Sequence, residues 1–504
     1  MLLDTVATER PAGADDVDVL IVGAGISGIG AGCHLRRRRP QTTFTILEGR
    51  DAIGGTWDLF RFPGIRSDSD LHTFGFSFKP WTDDDAIAAA PKIRAYLDEA
   101  VDEHGLREAI RFGHQVRSAT FDSRTARWTV VAQRTDTGEE VRLTARWLFC
   151  GTGYYDYQRG YLPELPGVED FAGRFVHPQA WPDDVDLHGK RVVVIGSGAT
   201  AVTLIPAIAP QAAHVTMLQR SPSYVLSLPR EDPLAKLADR LLGTHRGYRV
   251  TRRKNIALQR GIYRACRRFP RAMTKLLIAD VRRRLPKGYD VATHFTPRYR
   301  PWDQRLCVVP DGDLFEAISS GKASVVTDHI DRITRDGIRL RSGAQLDADV
   351  IVAATGLELR AFGGIELAVD GERVTPGETV AFRGMMLSDV PNFVFALGYT
   401  NASWTLKVDL VCEHFCRLLD HLDATGIDLA VPRVADPHLG HVPVLDLTSG
   451  YVQRGIARFP KAGDRGSWLV EQAYERDVER LRHGPVTDPE LHLSRVEAPA
   501  SVTV

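Results

Sequence analysis

Two glycine-rich loops carry the first chemistry readable in the chain. Gly23-Ala24-Gly25-Ile26-Ser27-Gly28 follows the apolar run from Asp18 to Val22, and Gly196-Ser197-Gly198-Ala199-Thr200-Ala201 follows Val192 to Ile195. In such a loop the first glycine makes a turn that a side chain would block, and the second lets a pyrophosphate approach the backbone. The third lets helix and strand pack closely, and the phosphates lie at the helix N-terminus. Gly23, Gly25 and Gly28 fill all three positions; Gly196, Gly198 and Ala201 play the same parts in the second loop, with Ala199 and Thr200 at its turn into the helix.

The residue that closes the following strand differs between the two. After the first loop it is Glu48, a carboxylate able to accept from ribose hydroxyls; after the second it is Arg220, which can pair with a 2′-phosphate that a carboxylate would repel. Ser221 adds a hydroxyl donor beside it. One site therefore suits FAD and the other NADPH, a pairing that fits a permanently bound flavin reduced by a nicotinamide.

Each loop needs a β-α-β unit to hold it. Asp18 to Val22, a helix running to Arg39 before Pro40, and Phe44 to Leu47 supply the first; Val192 to Ile195, a helix opening at Val202, and Val215 to Leu218 supply the second. An apolar strand enters a small flexible turn twice, at Phe149-Cys150-Gly151-Thr152-Gly153 and again from Asp349 to Gly356. The expected fold is α/β, with two Rossmann-like dinucleotide-binding domains. The FAD domain is discontinuous (17–153 and 350–482), and the NADP domain (154–349) is inserted into it. Residues 1–16 read as a disordered N-terminus, about 232–290 as a helical insertion, and 483–504 as a loosely packed C-terminal tail.

Composition narrows the rest. Lys+Arg and Asp+Glu number 64 each, so there is no overall attraction to nucleic acid. The start lacks a secretory pattern and no apolar run approaches a membrane span, so a cytoplasmic protein is expected. Six scattered cysteines show no C-x-x-C or zinc spacing and read as reduced, buried thiols, with no metal site. A disulfide reductase, which needs a cysteine pair beside its flavin, is thereby disfavoured, and electrons are expected to go to O2. The insertion carries Arg252, Arg253, Lys254, Arg267, Arg268, Arg271 and Arg282 to Arg284 with few acids. A solvated helical face on the NADP domain is the expectation there, with weak membrane association, as in a non-catalytic sensor, as the alternative.

Between the loops, Phe171-Ala172-Gly173-Arg174-Phe175-Val176-His177-Pro178-Gln179-Ala180-Trp181-Pro182 matches F-x-G-x-x-x-H-x-x-x-W-P at Phe171, Gly173, His177, Trp181 and Pro182. This pattern resembles the signature of type I Baeyer-Villiger monooxygenases, the class B flavoprotein monooxygenases. Gly54 to Asp70, Val192 to Pro206, His214 to Tyr224, Pro301 to Phe315 and Gly398 to Lys407 look like the EthA-type, ethionamide-activating branch, and the resemblance runs from about Val17 to about Arg482.

The resemblance implies that Gly54, Gly55, Thr56 and Trp57 line the flavin, that Asp68 lies near its reactive edge, and that Arg305 is the catalytic arginine, oriented by Asp68. It also implies oxygen insertion beside a ketone carbonyl through a C4a-peroxyflavin, giving an ester or lactone. S- or N-oxygenation of sulfides, thioamides or amines is the alternative. A fixed guanidinium suits both the anionic oxidant and the anionic intermediate of ketone oxidation. His177 is expected to serve linker and domain motion rather than as a general base. One departure stands out: many relatives have lysine where this chain has Gln304, leaving Arg220 with more of the choice between NADP and NAD.

Overall fold

The computed structural model describes residues 15–496. The expected 1–16 terminus therefore falls outside the described residues except for Asp15 and Asp16, and Asp16 opens a strand. That strand, Asp16–Val22, is apolar and buried from Val19 onward and lies inside a nine-stranded sheet between Phe44–Leu47 and Glu140–Cys150, parallel to both. Burial on both faces explains the unbroken hydrophobic run. Arg127–Arg134 and His114–Asp122 continue the sheet antiparallel, and Phe393–Phe395 returns from far along the chain to pair with Glu140–Cys150.

A second, fully parallel sheet runs in the order Ala323–Thr327, His214–Gln219, Arg191–Ile195, Val350–Ala353, Arg174–Val176. The protein is thus α/β with two Rossmann-like cores, and the strands of the first sheet bracket those of the second in sequence. Val350–Ala353 was expected to open the returning half of the FAD domain, yet it hydrogen-bonds within the second sheet, so the division falls after Ala353. An apolar run feeding a flexible turn looks the same whichever sheet it belongs to. The two chain crossings then lie side by side, Tyr155–Gly160 pairing antiparallel with Leu357–Leu359.

Two further expectations are corrected. The tail from 483 is not loose through its described length: Leu491–Ser494 pairs antiparallel with Leu429–Pro432, Leu491 is buried, and Arg383 binds Asp488. The basic insertion forms the helices Pro233–Leu242, Thr244–Arg268 and Pro270–Arg284, but it is not merely a solvated face. Buried Arg252 donates to the carbonyls of His72, Thr73 and Gly75 at 2.9, 3.0 and 2.7 Å and pairs with Asp409 at 3.3 Å. One inward arginine among many outward ones leaves no distinct mark in a charge count. All six cysteines are free and buried.

Candidate active site

Both glycine loops open into one cleft of about 950 Å³, near the upper end of the roughly 300–1,000 Å³ typical of ligand sites. Gly23 turns with φ +97°, and a Cβ on Gly28 would lie 1.8 Å from the Gly23 carbonyl oxygen, so the third glycine is a packing requirement and does not itself line the cleft. The helices Ile26–Arg38 and Ala199–Ile208 start at Gly25 and Gly198 with no acid in their first turns. Their N-terminal N–H groups are left to an anionic ligand.

Glu48 sits at the floor of the first loop, accepting from the backbone N–H of Ala24 at 2.7 Å and of Arg50 at 3.0 Å. Burial raises its pKa, and these two hydrogen bonds work against that rise. The carboxylate thus fastens the loop as well as facing the cleft. Gly55, Thr56 and Trp57 line the same space. In the second loop Ser197 Oγ donates to the Ser221 carbonyl at 3.1 Å, tying the glycine turn to the strand end that carries Arg220. Arg220 is exposed, lines the cleft with Ser221 and Gln304, and makes no ion pair among the described residues. A Cβ on Gly198 or on Gly153 would meet nothing within 4 Å, so open space stands where a dinucleotide backbone would pass. These residues fit FAD and a nicotinamide dinucleotide.

In the same cleft, Arg305 meets Asp68 through two contacts, Nε to Oδ2 at 2.8 Å and Nη2 to Oδ1 at 2.9 Å. Burial opposes the guanidinium's charge, but the Asp68 carboxylate holds its pKa raised. Arg66, just before Asp68, binds Asp313 at 2.6 Å, so a second ion pair ties this loop to the helix Asp313–Ser319.

Sequence reasoning missed the aromatic wall around the pair. Tyr154, Tyr155 and Tyr451 line the cleft beside Arg305, and desolvation pushes up the pKa of all three hydroxyls. Tyr154 and Tyr155 share a hydrogen bond of 3.1 Å. Tyr154 also stacks on Trp404 with centroids 5.2 Å apart, and Trp404 Nε1 donates to Ser27 Oγ in the first loop at 2.8 Å. The run Tyr154-Tyr155 directly after a glycine turn was the available signal.

The signature from Phe171 to Pro182 stands apart: Phe171, Gly173, His177, Trp181 and Pro182 do not line the cleft. His177 packs on Gly160, where any Cβ would lie 1.9 Å from the imidazole Cε1, and its Nδ1 accepts from the Gln179 N–H at 3.2 Å. Burial holds its pKa below the usual histidine value. It lies against the ribbon where the chain crosses between sheets.

Two dinucleotide loops sharing one cleft with a fixed arginine define a flavin-dependent oxidoreductase class. A family model described as flavin-binding monooxygenase-like matches residues 16–234. The FAD-containing monooxygenase EthA of Mycobacterium tuberculosis is 49% identical over 489 residues, spanning 97% of this chain and 100% of that protein. The chain belongs to the EthA-type FAD-containing monooxygenases. Its fold is shared with an oxidized steroid monooxygenase bound to NADP, at TM-score 0.73 and 24% identity over 95% of this chain and 100% of that one. An ε-caprolactone-bound cyclohexanone monooxygenase follows at TM-score 0.69 and 23% identity, covering 83% and 90%. Among the described residues no cluster could hold a metal ion, and no helix is long and apolar enough to cross a membrane.

Proposed function

We propose that this flavin monooxygenase uses NADPH and O2 to insert one oxygen atom beside a ketone carbonyl, giving an ester or lactone, NADP+ and water. The observation that carries this reading is the two-point Arg305–Asp68 pair, in the cleft that both nucleotide loops line. Glu48 and the first glycine loop would hold FAD; Arg220, Ser221 and the second loop would hold NADPH. Held there, FAD would supply the acceptance of hydride from NADPH and the activation of O2.

The protein's own part is electrostatic. Ketone oxidation builds negative charge on the former carbonyl oxygen, and a guanidinium already locked by Asp68 stabilises that charge without reorganising. Tyr154, Tyr155 and Tyr451 reduce the water around Arg305, which strengthens its field. His177, outside the cleft and held neutral by burial, fits a linker role rather than proton transfer.

Sulfides, thioamides and amines form the second substrate class, favoured by the EthA-type membership. Oxygen transfer to sulfur builds no alkoxide, so it depends less on Arg305. The test is Arg305→Ala with a ketone and a sulfide supplied in parallel. The variant should bind FAD and oxidise NADPH yet make almost no ester; a full ester yield overturns the ketone reading, and sulfoxide formed without any ester by the wild-type enzyme replaces it with the second.

A further inference from the structure

Six arginines among the described residues line the cleft, and their partners sort them. Arg50 pairs with Asp58, Arg66 with Asp313 and Arg305 with Asp68. Arg360 has Asp156 at 3.6 Å, and Arg220 stands at the second glycine loop. Arg454 is left: among the described residues it makes no ion pair, and its one hydrogen bond runs from Nη2 to the Leu357 carbonyl at 3.5 Å. The neighbouring acid, Glu358, is taken by Arg458. The Arg454 guanidinium lies over the Tyr161 ring, 3.3 Å from its centre. Tyr161 is itself fixed through its backbone, whose N–H donates to the Gly356 carbonyl at 3.1 Å and whose carbonyl accepts from Thr355 Oγ1 at 2.6 Å. Stacking on a fixed ring holds the guanidinium plane and leaves the N–H groups at its edge free to donate.

A guanidinium held flat with open donors suits a carboxylate or a phosphate. Position decides which molecule brings it. Arg454 follows Tyr451 by three residues on the short helix Gly450–Gly455, which sets the two side chains on one face with Cβ atoms about 5–6 Å apart. Both approach Gly356, where a Cβ would lie 3.6 Å from Arg454 Nη2 and 3.9 Å from Tyr451 Cβ. Tyr451 in turn lines the cleft beside Arg305. The second glycine loop has its own cation in Arg220, so an anion at Arg454 belongs to the molecule whose carbonyl faces Arg305. Arg454 is exposed, and a charged group reaches it without losing all its water.

We propose that Arg454 binds a carboxylate carried by the substrate, so that the preferred ketones are oxo acids with a spacer of a few carbons between carbonyl and carboxylate. This specificity rests on the ketone reading of Arg305. The carboxylate takes no part in the oxygen insertion; it anchors one end of the substrate, and that remote binding energy holds the carbonyl in place at Arg305.

The test compares levulinate and its longer oxo-acid homologues with their methyl esters, in the FAD-loaded wild-type enzyme and in Arg454→Gln. The wild-type enzyme should favour at least one acid over its ester by about 10- to 100-fold in kcat/KM, the worth of a charged hydrogen bond, and Arg454→Gln should abolish that preference. Equal turnover of acids and esters by the wild-type enzyme overturns the proposal, as does a preference that survives in Arg454→Gln. A KM for NADPH that rises in the variant, with no change in acid preference, assigns the guanidinium to the nucleotide's phosphates instead. Calorimetric titration of the oxidised enzyme with the same acids separates this site from the ketone reading. Acid binding that Arg454→Gln loses, with no oxygen inserted into any ketone, upholds the carboxylate site and fails the oxygen-insertion assignment. Oxygen insertion into neutral ketones with no binding of the acids does the reverse.

Discussion

Asp68 and Arg305, 237 positions apart in the chain, share two contacts of 2.8 and 2.9 Å within the cleft that both nucleotide loops line. A guanidinium so held is planar, permanently charged and aimed, which a lysine at the same place could not reproduce. The carboxylate acts through the arginine, so the two should not contribute independently. Product formation should fall about 10²–10³-fold in Arg305→Ala, the range for removing one preorganised donor, and by less in Asp68→Ala. The double variant should lose no more than Arg305→Ala alone. Additive losses would show that Asp68 has a role of its own, apart from orienting the arginine.

The insertion reaches this pair from behind. Asn255 Nδ2 donates to Asp70 Oδ1 at 2.9 Å, Gln259 Nε2 donates to the other oxygen, and Asp70 in turn accepts from the Thr73 N–H at 3.1 Å. Asp70 is two residues from Asp68, so these amides fix the loop that carries the carboxylate. Asn255→Ala/Gln259→Ala should lower the product formed per NADPH consumed by about 10- to 100-fold, the scale of a small misplacement of reacting groups. KM for NADPH should stay constant, because neither residue lines the cleft. A matching rise in that KM would point to general unfolding of the insertion instead.

The second loop separates two determinants of nicotinamide binding. Arg220→Ala removes the cation suited to a 2′-phosphate, and charged hydrogen bonds of about 1.5–3 kcal/mol translate to a roughly 10- to 100-fold higher KM for NADPH. NADH should be little affected. Gly198→Val should instead penalise both nucleotides, since its side chain projects into open cleft where a pyrophosphate passes, yet leave FAD bound. Steady-state kinetics with both coenzymes distinguish the two; equal losses for NADPH and NADH in Arg220→Ala would remove that residue from phosphate recognition.

The glycine loops were legible because the requirement is local: Gly23, Gly25 and Gly28, with Glu48 at the end of the next strand, express a turn and its partner within one β-α-β unit. Asp68 and Arg305 were reachable only through the family resemblance, since nothing in an isolated Asp or Arg announces a partner 237 positions away. Arg252 was misread for the same reason, its acceptors being the carbonyls of His72, Thr73 and Gly75 and the carboxylate of Asp409. The placement of Val350–Ala353 in the second sheet is likewise a matter of long-range pairing, which apolar content does not encode.

His414 should give stability a pH dependence of its own. It lies buried on the helix Trp404–Thr425, with Nδ1 2.9 Å from the Leu481 carbonyl and Nε2 3.2 Å from Arg383 Nη1. This arrangement suits a neutral ring that donates at Nδ1 and accepts at Nε2. Burial, then the charge of Arg383, lowers its pKa to about 3 from the ordinary 6.5. The unfolded chain therefore takes up this proton first. The stability contributed is fully present above pH 6.5 and is lost progressively as pH falls toward 3, amounting to about 2 kcal/mol by pH 5. His414→Gln can keep both hydrogen bonds through its amide and has no proton to gain. Tm should thus drop by a few degrees more between pH 7 and pH 5 in the wild-type enzyme than in His414→Gln, the other histidines being common to both. Parallel Tm curves across that range would mean that the ring already ionises in the folded protein.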